Sequence, residues 1–154
     1  MKRILSILSI ITLLFSLTAC GSTPTLDSSY SGAVEFSDAH LSCTADLTAD
    51  GDTMTLSLTS PENLSGLCYE YRGGELHTTL NGLDCVTPAE SLSPTAVPTL
   101  LYELFSRCDE AKYQGTEDNA DVFILSTSAG DMTVTAVDGA PESLTFGNIT
   151  VSFN

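Results

Sequence analysis

The sequence has little positive charge: five lysine and arginine residues stand against 20 aspartate and glutamate residues in a chain of 154. Two of the five, Lys2 and Arg3, precede an apolar segment, which leaves Arg72, Arg107 and Lys112 in the rest of the chain. So acidic a chain repels the phosphates of nucleic acids and of anionic lipids. We therefore expect no nucleic-acid partner, and the even spread of the acids predicts a solvated acidic surface.

The usual motifs of catalytic and cofactor sites are also missing. The chain has no G-x-S-x-G motif, no glycine-rich phosphate loop and no C-x-x-C pair. Its two histidines, His40 and His77, lie in strand-like segments without a matching pattern. Because 20 acids allow many carboxylate pairs, no single pair indicates a hydrolase. We expect no catalytic residue, no metal site and no cofactor, and an enzyme is the least favoured class.

No apolar run is long enough for a comfortable membrane span, since a spanning helix needs about 20 residues. Segment 4–17 is shorter, uncharged and preceded by two cations, which is the layout of a secretory signal. It ends in Leu17-Thr18-Ala19-Cys20, which resembles the lipobox of bacterial lipoproteins. The resemblance implies removal of residues 1–19 and a diacylglyceryl thioether on Cys20. The alternative is an ordinary signal peptide with a chance cysteine.

The lipobox resemblance implies a place in the cell. Each buried acyl CH₂ contributes about 0.8 kcal/mol to membrane binding, and two chains anchor a protein durably. We therefore expect a lipoprotein on the extracytoplasmic face of a bacterial cell membrane, held by the lipid on Cys20. Residues 20–29 are small, polar and proline-bearing and predict a flexible tether. Residues 30–154 predict a single domain.

Most of that domain has a hydrophobic period of two, which is typical of strands buried on one face. In segment 40–61, two alternating runs flank an Asp-Gly turn that favours a hairpin. Short turns near 73–74, 130–131 and 138–141 indicate further antiparallel neighbours. We predict a mainly β (α+β) fold, a curved antiparallel half-barrel of about seven or eight strands. The predicted apolar face of its sheet comprises Leu41, Leu47, Met54, Leu56 and Leu58.

Segment 93–108 departs from the period of two. Thr95 is a candidate N-cap, and Pro98 falls in the first turn, where its missing N–H costs little. We predict one amphipathic helix whose stripe, including Leu100, Leu104 and Phe105, packs on the concave face of the sheet. The apolar residues recur at the i, i+3, i+4 and i+7 spacing of one helical face: Val97, Leu100, Leu101, Leu104, Phe105 and Cys108.

A tethered lipoprotein with meandering strands, a covering helix and further strands resembles the half-barrel of the LolA-like lipoprotein-carrier superfamily. Residues 60–83, SPENLSGLCYEYRGGELHTTLNGL, are similar to that group in their proline-ended strand, L-x-G step, hairpin and N-G-L turn. The resemblance implies a concave apolar surface for acyl chains, or a scaffold that docks onto another envelope protein, and it transfers no catalytic residue. We predict a non-enzymatic docking module, with a lipid- or lipoprotein-binding carrier as the alternative.

Four cysteines follow Cys20, an even number that predicts two disulfides in an exported domain, the alternative being four free thiols. In a meander, Cys43 and Cys68 lie two strands apart, whereas a disulfide needs Cα atoms within about 7 Å. Cys108 lies on the sheet-facing stripe of the helix and suits an inward-facing partner such as Cys43. This reasoning favours Cys43–Cys108 together with Cys68–Cys85.

Overall fold

The computed structural model describes residues 23–38 and 41–154, so Cys20, the signal segment and His40 lie outside the described residues. The described chain forms one sheet of eleven strands, and the predicted number of seven or eight is wrong. The strands are β1 (Ser29–Ser37), β2 (Ser42–Asp50), β3 (Thr53–Ser60), β4 (Cys68–Arg72), β5 (Glu75–Leu80), β6 (Leu83–Pro88), β7 (Lys112–Glu117), β8 (Ala120–Thr127), β9 (Gly130–Val137), β10 (Ala140–Phe146) and β11 (Ile149–Phe153).

The strands absent from the prediction have physical reasons to escape a pattern search. In β1 the alternation of apolar residues is interrupted by Gly32. Strand β7 has no buried residue, so it shows no period of two. A tight turn at Gly147 divides the predicted strand over 142–153 into β10 and β11.

The order of the strands in space is β6-β5-β4-β3-β2-β1-β11-β10-β9-β8-β7, and all neighbours are antiparallel. The first and last strands pair with each other at the centre, where Val34 lies opposite Phe153. Strands β6 and β7 form the two edges. Register shifts in β3, β7 and β10 are bulges, which increase the local bend of a sheet.

In the part of the chain that the structure describes, one α-helix, α1 (Val97–Ser106), lies between the two edge strands in sequence. Single 3₁₀ turns occupy Glu62–Leu64, Ala89–Ser91 and Cys108–Glu110. The N-cap of α1 is Ala96, so the predicted cap at Thr95 is wrong; the Thr95 hydroxyl instead lies 3.0 Å from that of Ser93. In the described part of the chain, no helix has the length and apolarity needed to cross a membrane.

The core lies between α1 and the concave face of the sheet. Four helix residues are at most 1% exposed, as predicted for the apolar stripe: Leu100, Leu101, Leu104 and Phe105. Strands from both halves of the sheet contribute side chains of similarly low exposure, including Leu47, Leu56, Phe123, Met132, Val134 and Val151. The convex face is polar and carries cross-strand hydroxyl pairs such as Thr44–Thr59, whose oxygens are 2.9 Å apart.

The segment that precedes β1 is attached to the domain. Leu26 is buried in the core with 8% exposure. The N–H of Asp27 donates to the carbonyl of Gly139 at 2.9 Å, and the N–H of Gly51 donates to the carbonyl of Ser28 at 2.9 Å. The domain therefore starts by Leu26, and the predicted tether over residues 20–29 extends too far at its C-terminal end.

Candidate functional site

The predicted apolar face is a filled core for seven of its eight residues. Leu47, Met54, Leu56, Leu58, Leu100, Leu104 and Phe105 are between 0 and 5% exposed. Leu41 is the exception at 47% exposure. It precedes β2, in a turn whose backbone is hydrogen-bonded to Asp38. The N–H of Leu41 donates to Asp38 Oδ1 at 2.9 Å, and the N–H of Asp38 donates to the carbonyl of Leu41 at 2.9 Å. Its predicted inward position is thus wrong.

Arg107 fixes the C-terminal end of α1. Its Nη2 donates to Glu110 Oε2 at 2.6 Å and to the carbonyl of Ser126 in β8 at 3.2 Å. Its Nη1 lies 3.4 Å from Glu103 Oε2, one helical turn earlier. The hydrogen bond with Glu110 raises the pKa of Arg107 and, in turn, lowers the pKa of Glu110. One of the chain's few cations therefore joins the helix to the C-terminal half of the sheet.

A small apolar cleft of about 230 Å³ opens at the N-terminal end of α1. Phe36, Leu41, Val97 and Ile149 line it, with polar groups of Asp38 at the rim. Its exposed wall is Leu41, while the deeper positions belong to the core margin. At this cleft the predicted apolar face reaches an opening through Leu41.

A larger cleft of about 570 Å³ lies between residues 24–28 and the C-terminal end of α1. Leu26 and Phe105 contribute its apolar walls. The rest of its lining is mixed, with backbone of the N-terminal segment, one thiol, hydroxyls and carboxylates: Thr25, Asp27, Ser28, Ser106, Cys108 and Asp109. Pro24 and Ala111 add to the apolar part, so the lining combines apolar groups with the carboxylates of Asp27 and Asp109.

All four described cysteines are free, and the favoured disulfide pairing is wrong. Cys43 is near the start of β2, whereas Cys108 shares a cleft with Gly51, which follows the end of β2. At about 3.3 Å per residue, β2 is roughly 23 Å long from Cys43 to its end, so the two thiols lie near opposite ends of this strand. Burial raises the pKa of both thiols.

The second favoured disulfide fails because of strand alternation. Cys68 lies opposite Thr79 of β5, and Cys85 lies opposite the adjacent residue, Thr78. Since adjacent residues of a strand point to opposite faces, the two thiols are on opposite faces of the sheet. They are also separated by the whole of β5. The alternation of side chains along β5 was a reason, available from the sequence alone, to exclude a Cys68–Cys85 disulfide.

The acidic residues do not converge on a cation site. Within residues 23–38 and 41–154, no group of three or more His, Cys, Asp and Glu side chains is arranged to hold a metal ion. Edge strand β6 exposes two apolar residues that are not among the predicted site residues, Leu83 at 77% and Val86 at 45% exposure. The sequence feature that indicates an edge position for β6 is its place as the last strand of a meander, just before the helix.

Neither a family model nor a curated protein sequence matches the chain. Among solved structures, an uncharacterized conserved protein from Thermus thermophilus is similar, with a TM-score of 0.54 at 12% identity, covering 83% of this chain and 77% of that one. The LolA superfamily protein NE2245 from Nitrosomonas europaea aligns with a TM-score of 0.45 at 10% identity, covering 86% of each chain. At such identity, the Thermus protein shares the fold alone.

Proposed function

We propose that this chain is a membrane-anchored extracytoplasmic lipoprotein with a LolA-like half-barrel, and that it acts as a non-enzymatic docking module for an envelope protein. The observation that supports this proposal is the filled concave face. Leu101 and Leu104 of α1 and Leu56 of β3 are at most 1% exposed, so the space between helix and sheet is occupied by the protein's own side chains. Function is then carried by the outer surfaces of a rigid domain.

The small volume of one cleft and the carboxylates in the lining of the other favour docking over lipid transport. Pockets that enclose small molecules usually measure about 300–1,000 Å³, and the apolar cleft beside Leu41 measures about 230 Å³. The cleft of about 570 Å³ is large enough but presents Asp27 and Asp109. An acyl chain would bury these carboxylates without offering them a hydrogen bond.

The anchor would hold the domain near a bilayer. Leu26, which is buried, follows Cys20 by six positions, and an extended chain spans at most about 3.6 Å per residue. Growth of cells with an alkyne-labelled fatty acid tests this part of the proposal. We expect label on the full chain and none on Cys20→Ala. Equal labelling of the two would contradict lipidation at Cys20.

Photo-crosslinking in cells tests docking. A photoreactive residue would replace exposed convex-face positions Thr55, Thr133 or Thr145, one at a time, in the full chain. We expect at least one position to give a discrete adduct with an envelope protein. The positions are exposed and outside the core, so the variants should fold as the parent does. Failure of all positions across the convex face would remove the support for a docking role of this face.

A carrier function is the second candidate, and the apolar lining of the cleft beside Leu41, rather than its volume, supports it. An acyl end could enter between Leu41 and Val97. Titration with a fluorescent fatty acid, combined with native mass spectrometry, distinguishes the two functions. Docking predicts no saturable uptake. Carriage predicts uptake that Leu41→Glu abolishes and that the control Leu83→Glu, at an exposed edge position, leaves unchanged.

A further inference from the structure

Edge strand β6 lacks the bulge and the lysine that often keep a sheet edge from pairing. It aligns with β5 over its full length without a register shift. It carries no lysine, and its proline, Pro88, is its last residue. Leu83 is 77% and Val86 is 45% exposed. A regular, apolar, unpaired edge is a template for another strand.

The opposite edge strand, β7, has features that disfavour pairing with another strand. Strand β7 begins with Lys112 and has a bulge between Tyr113 and Gly115, where Gly115 has φ of 147°. The side-chain Nε2 of Gln114 donates to the carbonyl of Lys112 at 3.3 Å. A charge, a bulge and a capped carbonyl therefore disfavour pairing at β7. The contrast makes β6 the edge that is open to pairing.

The hairpin that joins β5 to β6 decides which backbone groups of β6 are free. Asn81 and Gly82 have φ of 50° and 80°, the left-handed pair of a two-residue turn that closes on a hydrogen-bonded pair, Leu80 and Leu83. Antiparallel pairs alternate between bonded and non-bonded. Cys85 is therefore bonded to β5, and the N–H and C=O groups of residues 84 and 86 point outward.

This pattern is self-complementary. We propose that β6 pairs with β6 of a second copy of this chain, antiparallel and centred on Cys85. Asp84 then lies opposite Val86 of the second copy, and each such pair exchanges both backbone hydrogen bonds. Cys85 faces Cys85 of the second copy at a non-bonded position. Such a position brings Cα atoms to about 4.5 Å.

The charges of β6 permit this pairing in this register. Asp84 is the only ionisable carboxylate of the strand, and the register sets it against a valine. On the other face, Leu83 meets Thr87 of the second copy, so the exposed leucine gains a neighbour. Residues 20–154 as a whole carry 20 acids against three cations, and this net negative charge repels a second copy. We therefore expect added salt to strengthen the association, because salt screens exposed charges.

Substitutions at Val86 test the register in the full chain purified in detergent, with association measured by sedimentation equilibrium. Val86→Asp would set a carboxylate against Asp84 in each of the two 84–86 pairs, and we expect at least a tenfold loss of dimer affinity. Val86→Lys would meet the same carboxylate and should retain the dimer. The matched control is Val137→Asp, at a valine of 38% exposure on β9, which should behave as the parent. Unchanged thermal unfolding of all three variants would verify their folds.

Cross-linking with a short bismaleimide provides the second readout. We expect a covalent dimer that Cys85→Ser abolishes and that Cys68→Ser, on the other face, preserves. A parent chain that is monomeric at all concentrations would overturn the proposal. A dimer that resists Val86→Asp, or that loses affinity equally with Val137→Asp, would do the same. None of these outcomes bears on docking to an envelope protein through the convex face, so the two proposals fail separately.

Discussion

Tyr71 of β4 stacks face to face on Tyr102 of α1, with ring centroids 4.3 Å apart and ring planes 7° from parallel. The Tyr71 hydroxyl also lies 3.3 Å from Oγ1 of Thr99 in the first turn of the helix. Tyr71 is 1% exposed. A single sheet residue thus holds the helix by a ring contact and a hydrogen bond, while Arg107 holds its other end against β8.

Removal of the Tyr71 ring should weaken the whole domain. Truncation of a buried aromatic side chain to alanine costs about 3–5 kcal/mol, and we expect Tyr71→Ala to lower the free energy of unfolding by that amount. Tyr71→Phe keeps the stack and loses one hydrogen bond, so about 1 kcal/mol is expected. Urea denaturation measures both. Tyr113→Ala, at a more exposed edge position, is the control; an equal loss there would argue against a special role for the stack.

Truncation of the helix stripe tests whether the concave face is a structural core. Leu104 is 1% exposed, and Leu104→Ala should cost about 2–5 kcal/mol through lost contacts and a new cavity. Leu83→Ala makes the same chemical change at 77% exposure and should shift the unfolding free energy by less than about 0.5 kcal/mol. If Leu104→Ala were as mild as its control, the concave face would be loosely packed.

Alanine substitutions at two glycines, Gly139 and Gly74, test how the N-terminal segment is attached to the domain. Gly139 has φ of 90°, and a Cβ there would lie 3.0 Å from Asp27 Oδ1 and 3.2 Å from the carbonyl of Thr25. Gly74 has φ of 81° with open space around its Cβ position. Both alanine variants incur about 1–2 kcal/mol for left-handed backbone.

Only Gly139→Ala should also displace the segment that contains Leu26. Limited proteolysis would show this as faster cleavage near residues 24–27 in Gly139→Ala than in Gly74→Ala. Unfolding experiments should show a larger loss of stability for the same variant. Identical cleavage patterns would mean that the contact with Asp27 adjusts at no cost.

Alkaline pH should destabilise the fold. Burial raises the pKa of Cys43 above its ordinary value of 9.0, with nearby Asp38 adding to the effect. Burial, and then the Cys43 charge, raise the pKa of Tyr69 above 10.0. The folded state disfavours both anions, so this stability is fully present below the ordinary values and is lost as pH rises through the raised ones.

Melting temperatures between about pH 7 and pH 11 measure this loss. Cys43→Ala should flatten the decline, because it removes one buried acid and its effect on Tyr69. Cys85→Ala, at an exposed position, should leave the slope as in the parent. A parent curve without alkaline decline would contradict the buried ionisations.

Hydrophobic periodicity predicted the parts of the fold that are buried on one side. The run from Ala45 to Leu58 and the stripe of α1 both alternate at their proper periods, and both lie where the sequence placed them. Leu41 continues the same alternation but precedes the first residue of β2. A hydrophobic period does not mark the residue at which a strand begins. Strand β7 had no buried residue to reveal it.

The disulfides show a different limit. An even cysteine count says nothing about which faces the thiols occupy, and the neighbours of Cys68 and Cys85 on β5 put them on opposite ones. The distance between Cys43 and Cys108 depends on where α1 ends relative to β2, which no local pattern contains. The open edge at β6 likewise required the full strand order, because pairing of β1 with β11 decides which strands remain terminal.

That central pairing has a topological consequence. Read from β7 through β11 to β1 and then to β6, every step in the sheet joins adjacent antiparallel strands. The sheet is a circularly permuted meander, in which the first strand, β1, and the last strand, β11, are neighbours at the centre. Residues 89–111 connect the two edge strands, β6 and β7, across the concave face. A permuted chain that begins at Lys112 and ends near Pro88 would retain every ladder but lose this connection. The curvature of such a sheet, freed from α1, would show how far the helix bends the sheet.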